Sequence, residues 1–322
     1  MIKKLLPLVV SSLFAVAAAQ AQNLTLYTSQ PVADAQMTVE AFEKANPGVK
    51  VEWVRDGTTK LMTKFRAELE AGVTKPDLLL IADSVTLEQL KKEGLLAAHD
   101  SKEKSNYDEA LYDKEGYYYG TKLITTGIAY HKDAKVKPTS WKDLVKPELK
   151  GQAAMPSPLY SGAALIHLSA LTTNPDFGWD YYKALKENGM SPIKGNGSVL
   201  KAIATGEKPY GVLVDYMAIR EKAKGSPVEF VFPAEGVSMV TEPVAILKSS
   251  KNQELAKKFV DFLLSAEGQE LVVKQGYLPA RNGVTPPAGF PDRKDIKLLP
   301  FDSAKALENT EKDKEGFSKI FN

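Results

Sequence analysis

The sequence predicts an α/β chain of two lobes with a ligand cleft between them, and three observations carry that expectation. Short apolar strands alternate with amphipathic helices from residue 24 onward. Two long β-type runs, 117–131 and 239–247, interrupt that alternation, and the first is too long to serve as a single ordinary strand. About 300 residues remain after the leader, more than one core comfortably serves.

Residues 24–29 (LTLYTS) alternate in polarity and predict a strand. Apolar positions at helical spacing (Val32, Ala35, Val39, Phe42, Ala45) predict a helix that Asn46-Pro47-Gly48 stops. Residues 49–55 (VKVEWVR) give a second strand, 58–71 a helix, and the apolar run 77–82 (DLLLIA) a buried parallel strand, with a helix over 85–93 behind it. Residues 117–131 then predict a strand that leaves the first lobe for the second. There follow a short helical segment from Trp141, a strand at 152–155, a helix beginning near Tyr160-Ser161, a helix over 178–188 and a helix after Gly195. The run 210–214 (YGVLV) is a buried strand continued by a helix over 217–224, and 228–232 is another strand. Residues 239–247 would return the chain to the first lobe. A helix or helix pair over 253–274 and a polar helix over 303–312 complete the order. The expected organisation is a leader at 1–21, a first lobe of 22–124 with 243–281, and a second of 125–242 with 282–322.

The leader is read from Lys3 and Lys4, the apolar stretch 5–19 and the Ala19-Gln20-Ala21 cleavage pattern, which together describe a secretory signal peptide. No cysteine is present, so neither a lipid-attachment thiol nor a disulfide framework is expected. The formal charge of +2 falls to zero once Lys3 and Lys4 are removed. Without a basic excess, nucleic acid is not an expected partner. Any charge selectivity must be local to a site.

In open α/β sheets, ligands sit beyond the carboxyl ends of the strands. The residues that follow the predicted strands are Ser29-Gln30, Asp56-Gly57-Thr58, Asp83-Ser84, Ser157 to Ser161, Asn196-Gly197-Ser198 and Asp215-Tyr216; the crossover runs add Thr126 and Glu242. They are small, polar and suited to starting helices, whose free N–H groups and positive dipole end attract anions. The stretch 151–165 (GQAAMPSPLYSGAAL) is the clearest instance, with Ser157 and Ser161 as hydroxyl donors and Gly162 leaving room for close approach. Helix capping alone accounts for Ser, Thr and Asp at any one of these positions. Loops from both lobes converging on one crevice are what favour a ligand.

The opening strand with Tyr27-Thr28-Ser29-Gln30, the PDLLLIAD strand, the two crossovers and the VDYMAIREKAKGSPVEFVFPAEG segment resemble the extracellular solute-binding proteins of bacterial ABC importers. The resemblance spans essentially the whole chain after the leader. It is nearest to ferric-ion-binding proteins and their relatives that bind hexose phosphates or 2-aminoethylphosphonate. It implies the type II periplasmic-binding fold, hinge closure, a monomer in the periplasm and docking to an inner-membrane permease. The ferric members use a tyrosine pair after a second-lobe strand and another tyrosine near the anion-site helix. Tyr160 and Tyr216 match two of those positions, but Asp215 stands where the pair's first tyrosine falls. Pro31 follows Gln30 where some ferric members have histidine, and no arginine stands at Met155 or Pro156 for a synergistic anion. The reading is therefore a small phosphorylated organic anion, with ferric ion as the alternative. Ser157, Ser161, Gly162, Asn196, Gly197 and Ser198 would bind the phosphoryl group. Asp56, Asp83, Asp215 and Glu242 would meet hydroxyls or an ammonium, and Tyr27 or Tyr216 would pack on an apolar face.

No nucleophile-elbow, zinc-protease or phosphate-loop pattern occurs, and the three histidines, His99, His131 and His167, are far apart in sequence. An enzyme is not expected, and no cofactor is implied.

Overall fold

The computed structural model describes residues 22–321; the expected signal peptide lies outside them. The chain opens with β1 (Gln22–Thr28), α1 (Val32–Ala45), β2 (Val49–Arg55), α2 (Thr58–Glu70), β3 (Leu78–Leu80), α3 (Ser84–Lys92) and β4 (Leu96–Ala97). It crosses over through β5 (Tyr118–Gly120) and β6 (Lys122–His131). The next block holds β7 (Ala153–Pro156), α4 (Gly162–Thr172), α5 (Gly178–Glu187), β8 (Ser191–Ile193), α6 (Asn196–Ala204), β9 (Tyr210–Val214), α7 (Asp215–Ala223) and β10 (Val228–Val231). It returns by β11 (Ser238–Val240) and β12 (Pro243–Leu247), and ends with α8 (Gln253–Leu264), α9 (Ala266–Lys274), β13 (Leu278–Pro279) and α10 (Ser303–Phe321).

Two sheets result. The first runs β2-β1-β3-β12-β4, with β5 also on β12; β1 is parallel to β2 and β3, and β12 is antiparallel to β3. The second runs β10-β6-β9-β7-β8, with β11 and β13 also on β6. Leu24, Leu26, Phe42 and Phe259 lie in the first lobe's core, and Trp141, Tyr182 and Phe317 in the second's. A third cluster joins the lobes: Val85 of α3, Ala163 and Ile166 of α4, Tyr216, Tyr277 and Ala306 of α10. Helix α4 is apolar all round, and every residue from Gly162 to Leu171 is buried, as a central helix must be.

Both long β-type runs are broken. The first breaks at Thr121, between β5 on one sheet and β6 on the other; the second breaks at Thr241-Glu242, between β11 and β12. The breaks face each other. Thr121 N and Lys122 N both donate to Thr241 O (3.0 and 3.2 Å), and Thr121 Oγ1 donates to Glu242 O (2.8 Å). Glu242 takes φ 38°, the only non-glycine residue in the left-handed region among those described. Of the helix or helix pair expected over 253–274, the structure has the pair, because Ser265 ends α8 and its side chain caps α9 (Gly268 N to Ser265 Oγ, 3.1 Å). One other expectation is corrected. The terminal helix runs to Phe321 rather than 312, because Phe317 is buried in the second lobe's core.

Candidate functional site

Between the lobes lies a cavity of about 400 Å³, within the range of small-molecule sites. Its wall is built from the residues beyond the carboxyl ends of parallel strands: Ser29 after β1, Gly57 and Thr58 after β2, Ala82 after β3, Tyr160 and Ser161 after β7, and residues 194–198 after β8. Ile124, Val214, Tyr216 and Met217 add an apolar side, and Glu242 enters from the hinge.

The lobes are closed on one another. Tyr160 of the second lobe sits against the start of α2 in the first: Thr59 N donates to Tyr160 O (3.3 Å), and Thr59 Oγ1 to Pro158 O (3.1 Å). The Tyr160 ring fits because two neighbours are glycine. A Cβ at Gly57 would lie 2.4 Å from Tyr160 O and 2.6 Å from its ring, and one at Gly195 would lie 2.9 Å from the ring. Gly162 is equally tight, since its Cβ would fall 2.6 Å from Ala82 O.

Two cations line the cavity. Arg55 ends β2 and donates to Gln30 O (2.7 Å), Ser29 O (3.4 Å) and Tyr160 Oη (3.3 Å). Lys194 holds its ammonium 5.1 Å from the Tyr160 ring centre. Among the described residues neither has a carboxylate within ion-pair distance. Ser161 caps α4, accepting from Ala164 N (3.3 Å), and Asn196 Nδ2 donates to the same oxygen (3.3 Å), tying the starts of α4 and α6 together.

Glu242 is the one carboxylate in the wall. Its Oε2 lies 2.7 Å from Lys122 Nζ, with both side chains almost fully buried. The buried ammonium is the partner of that oxygen, and Gln30 Oε1 is a buried acceptor without a donor among the described residues. Burial raises the Glu242 pKa, and Lys122 opposes the shift. Lys122 also sits 4.2 Å from the Tyr277 ring centre. Tyr216 packs against Tyr277 with ring centres 4.0 Å apart and planes tilted by 36°, and the Arg220 guanidinium lies 5.2 Å from the ring centre of Tyr216.

Of the residues expected at a site, Ser29, Gly57, Thr58, Tyr160, Ser161, Asn196, Gly197, Ser198, Tyr216 and Glu242 share this wall. The others are placed elsewhere. Gln30 is buried beside Ser29. Asp56 pairs with Lys60 (3.0 Å) and accepts from Gly57 N (2.9 Å); burial pushes its pKa up, but Lys60, this amide and the Tyr160 hydroxyl together hold it below the usual range. Asp83 caps α3 through Thr86 N (3.1 Å), with Ser84 as the first residue of that helix. Thr126 is buried on β6 between Val214 and Ser238. Ser157 Oγ accepts from Leu159 N (3.2 Å) within its turn, and Gly162 packs on Ala82 and Thr58. Asp215 is fully buried and accepts from Thr125 N (3.0 Å), Thr125 Oγ1 (2.7 Å) and Tyr216 N (2.6 Å). Tyr27 packs in the first lobe, its hydroxyl on Glu68 (2.8 Å), and lines no part of the cleft.

Arg55 and Lys194 are the residues that sequence reasoning missed. Arg55 looks like the solvent-facing end of an alternating strand. Lys194 follows β8, a strand too short to show in the pattern. The histidines lie apart: His99 contacts Asp261 (2.8 Å), His131 closes β6, and His167 is buried against Ser238 (3.0 Å), where desolvation lowers its pKa to about 3.

Two lobes closing on a cationic cleft define a binding protein, and the sequence agrees: residues 74–309 match the bacterial extracellular solute-binding protein family, to which the chain belongs. It is a substrate-binding protein of an ABC importer with the type II periplasmic-binding fold; such proteins bind without catalysis and deliver their ligand to a membrane permease. A Haemophilus influenzae protein described as uncharacterized is 30% identical over 302 residues, 88% of this chain and 85% of its own. The Fe(3+)-binding periplasmic protein of Serratia marcescens is 27% identical over 80% of this chain and 78% of its own. Among solved structures, the periplasmic binding protein AfuA from Actinobacillus pleuropneumoniae, with exogenous fructose-6-phosphate bound, superposes with a TM-score of 0.83 at 25% identity, covering 93% of this chain and 98% of that one.

Proposed function

We propose that this chain is the periplasmic component of an ABC importer that captures a small phosphorylated organic anion, of the hexose phosphate or 2-aminoethylphosphonate type, by hinge closure. The observation that carries this reading is the pair of cations, Arg55 and Lys194, lining the cavity without carboxylate partners. The starts of α4 and α6 add N–H donors and a positive dipole end beside them. Closure is a population shift: the ligand favours the closed form by touching both lobes at once. The moving units are 22–124 with 243–281 and 125–242 with 282–322, the leader at 1–21 directing export.

Ferric ion is the second reading, because Tyr160 and Tyr216 line the same cavity and phenolates suit a hard trivalent cation. Against it, the Arg55 guanidinium at the Tyr160 hydroxyl would repel a trivalent cation there, and burial raises the Tyr216 pKa, away from the phenolate.

Thermal unfolding of protein freed of ligand by unfolding and refolding tests the choice. Glucose 6-phosphate, fructose 6-phosphate, 2-aminoethylphosphonate, inorganic phosphate and ferric citrate form the panel. A ligand at a thousand times its Kd adds about 4 kcal/mol, a shift of several degrees. A shift with an organophosphate and none with iron is expected. A shift with ferric citrate alone, with a tyrosinate absorbance band, overturns the reading.

A further inference from the structure

The two cations of the cavity wall come from opposite lobes, Arg55 from the end of β2 and Lys194 from the turn after β8. One side chain of the same wall meets both. The Tyr160 hydroxyl accepts from Arg55 Nη1 (3.3 Å), and the Tyr160 ring lies 5.1 Å, centre to ammonium, from Lys194. Like charges brought together repel. The phenol offsets this with an oxygen lone pair for one cation and a negative ring face for the other. Asp56, whose carboxylate the same hydroxyl reaches, is balanced by Lys60 (3.0 Å).

Tyr160 is itself fixed by both lobes. Helix α2 starts at Gly57, which supplies no side-chain cap, and Tyr160 O of the opposite lobe accepts from Thr59 N instead (3.3 Å). The ring is gripped between two glycines: its Cε1 would lie 2.6 Å from a Cβ at Gly57 in one lobe and 2.9 Å from a Cβ at Gly195 in the other. Arg55 is held within its own lobe by Gln30 O and Ser29 O (2.7 and 3.4 Å). These bonds and the one to Tyr160 use one N–H on each guanidinium nitrogen. Both terminal nitrogens therefore keep an N–H without a partner among the described residues. Such a pair can take two oxygens of one anion.

We infer that Tyr160 is the positioning residue of the anion site: it draws one cation from each lobe toward a single phosphoryl group as the lobes close, so that a doubly charged head group is favoured over a singly charged one of the same shape. Tyr160 acts through Arg55 and Lys194. The inference rests on the phosphoryl reading above and adds the charge state selected and the residue that sets it.

Calorimetric titration at about pH 8 with two pairs of near-isosteres tests it: glucose 6-phosphate against glucose 6-sulfate, and 2-aminoethylphosphonate against 2-aminoethanesulfonate. In each pair the phosphorus head group carries close to two negative charges and the sulfur head group one. In whichever pair binds, the phosphorus compound is expected to bind about ten-fold or more tightly. Tyr160→Phe keeps the ring and the main-chain cap and removes the hydroxyl. It should narrow that ratio about three-fold or more, by weakening the phosphorus compound and sparing the sulfur one. Lys194→Met should narrow it similarly. A defect of folding or closure lowers both members by one common factor and leaves the ratio unchanged. Equal or tighter binding of the sulfur compound by the unaltered protein, or a ratio that either variant leaves unchanged, overturns the inference while leaving the phosphoryl reading intact. Failure of both phosphorus compounds and of inorganic phosphate overturns both.

Discussion

Arg220 of α7 and Asp34 of α1 meet across the cleft, one guanidinium nitrogen standing 2.9 and 3.2 Å from the two carboxylate oxygens. The same nitrogen donates to Gln275 O (2.9 Å), and Tyr277 Oη donates to Asp34 (2.6 Å). Neither Asp34 nor Arg220 lines the cavity. The pair therefore joins the lobes without touching the ligand. Arg220→Met should favour the open form, so small-angle scattering of the unliganded variant should give a larger radius of gyration. Affinity should drop by one common factor, about three- to ten-fold, for every compound that binds, because the competent fraction alone has changed. An unaltered scattering curve, or losses that differ between compounds, would count against a latch.

Arg55 behaves differently. Its partners are two carbonyls and a hydroxyl, and none is a charge it must neutralise. Arg55→Met should leave the melting temperature of unliganded protein within a few degrees of its starting value. It should weaken anion binding by about ten- to a hundred-fold, the scale of a lost charge-assisted hydrogen bond. Titration of the best ligand from the panel measures this.

Closure is also sensitive to the glycine at 57. A methyl group there would lie 2.4 Å from Tyr160 O, an atom of the opposite lobe. Gly57→Ala should preserve both lobes and obstruct their approach, at about 1–3 kcal/mol of ligand affinity. A variant that binds normally would show that the Tyr160 contact gives way without cost.

Buried Asp215 supplies a pH signature. Desolvation raises its pKa to about 7, with the Thr125 and Tyr216 donors only partly opposing. A carboxyl with a raised folded pKa binds its proton more firmly folded than unfolded. Its contribution is therefore full below about pH 4 and is lost as pH rises toward 7, a change on the order of a few kcal/mol. Denaturant unfolding at pH 4.5 and 7.5 should show a smaller difference in Asp215→Asn than in the unaltered chain. Identical differences would remove Asp215 as the source.

Much of this architecture is legible in the sequence. Strands 49–55 and 210–214 were expected with the bounds they have, since continuous apolar or alternating runs between turn residues leave little choice of register. The two crossings between lobes were legible as long β-type runs, but the residues at which the strands break were not. Thr121 and Thr241 sit among β-branched residues that extend a strand as readily as they end one, and nothing local marks Glu242 for a left-handed backbone. At the site, small and hydroxyl residues after the strands announced themselves as helix starts. The carboxylates among them were read as facing ligand, yet Asp83 and Asp215 serve backbone amides and Asp56 a lysine, which only tertiary placement decides. The two free cations were invisible for the converse reason: a surface-type residue at a strand end becomes a site residue only when a second lobe folds over it.

The separation between uncompensated cations in the wall and cancelled pairs beneath it gives the two stages of uptake different responses to salt. Arg55 and Lys194 attract an anion through solvent, where charges are screened within roughly 8–10 Å at physiological ionic strength. Glu242–Lys122 and Asp34–Arg220 are largely shut away from counterions. Raising ionic strength should slow the arrival of ligand and leave the subsequent shutting of the lobes nearly untouched, so stopped-flow traces at two salt concentrations would resolve encounter from closure in a single protein.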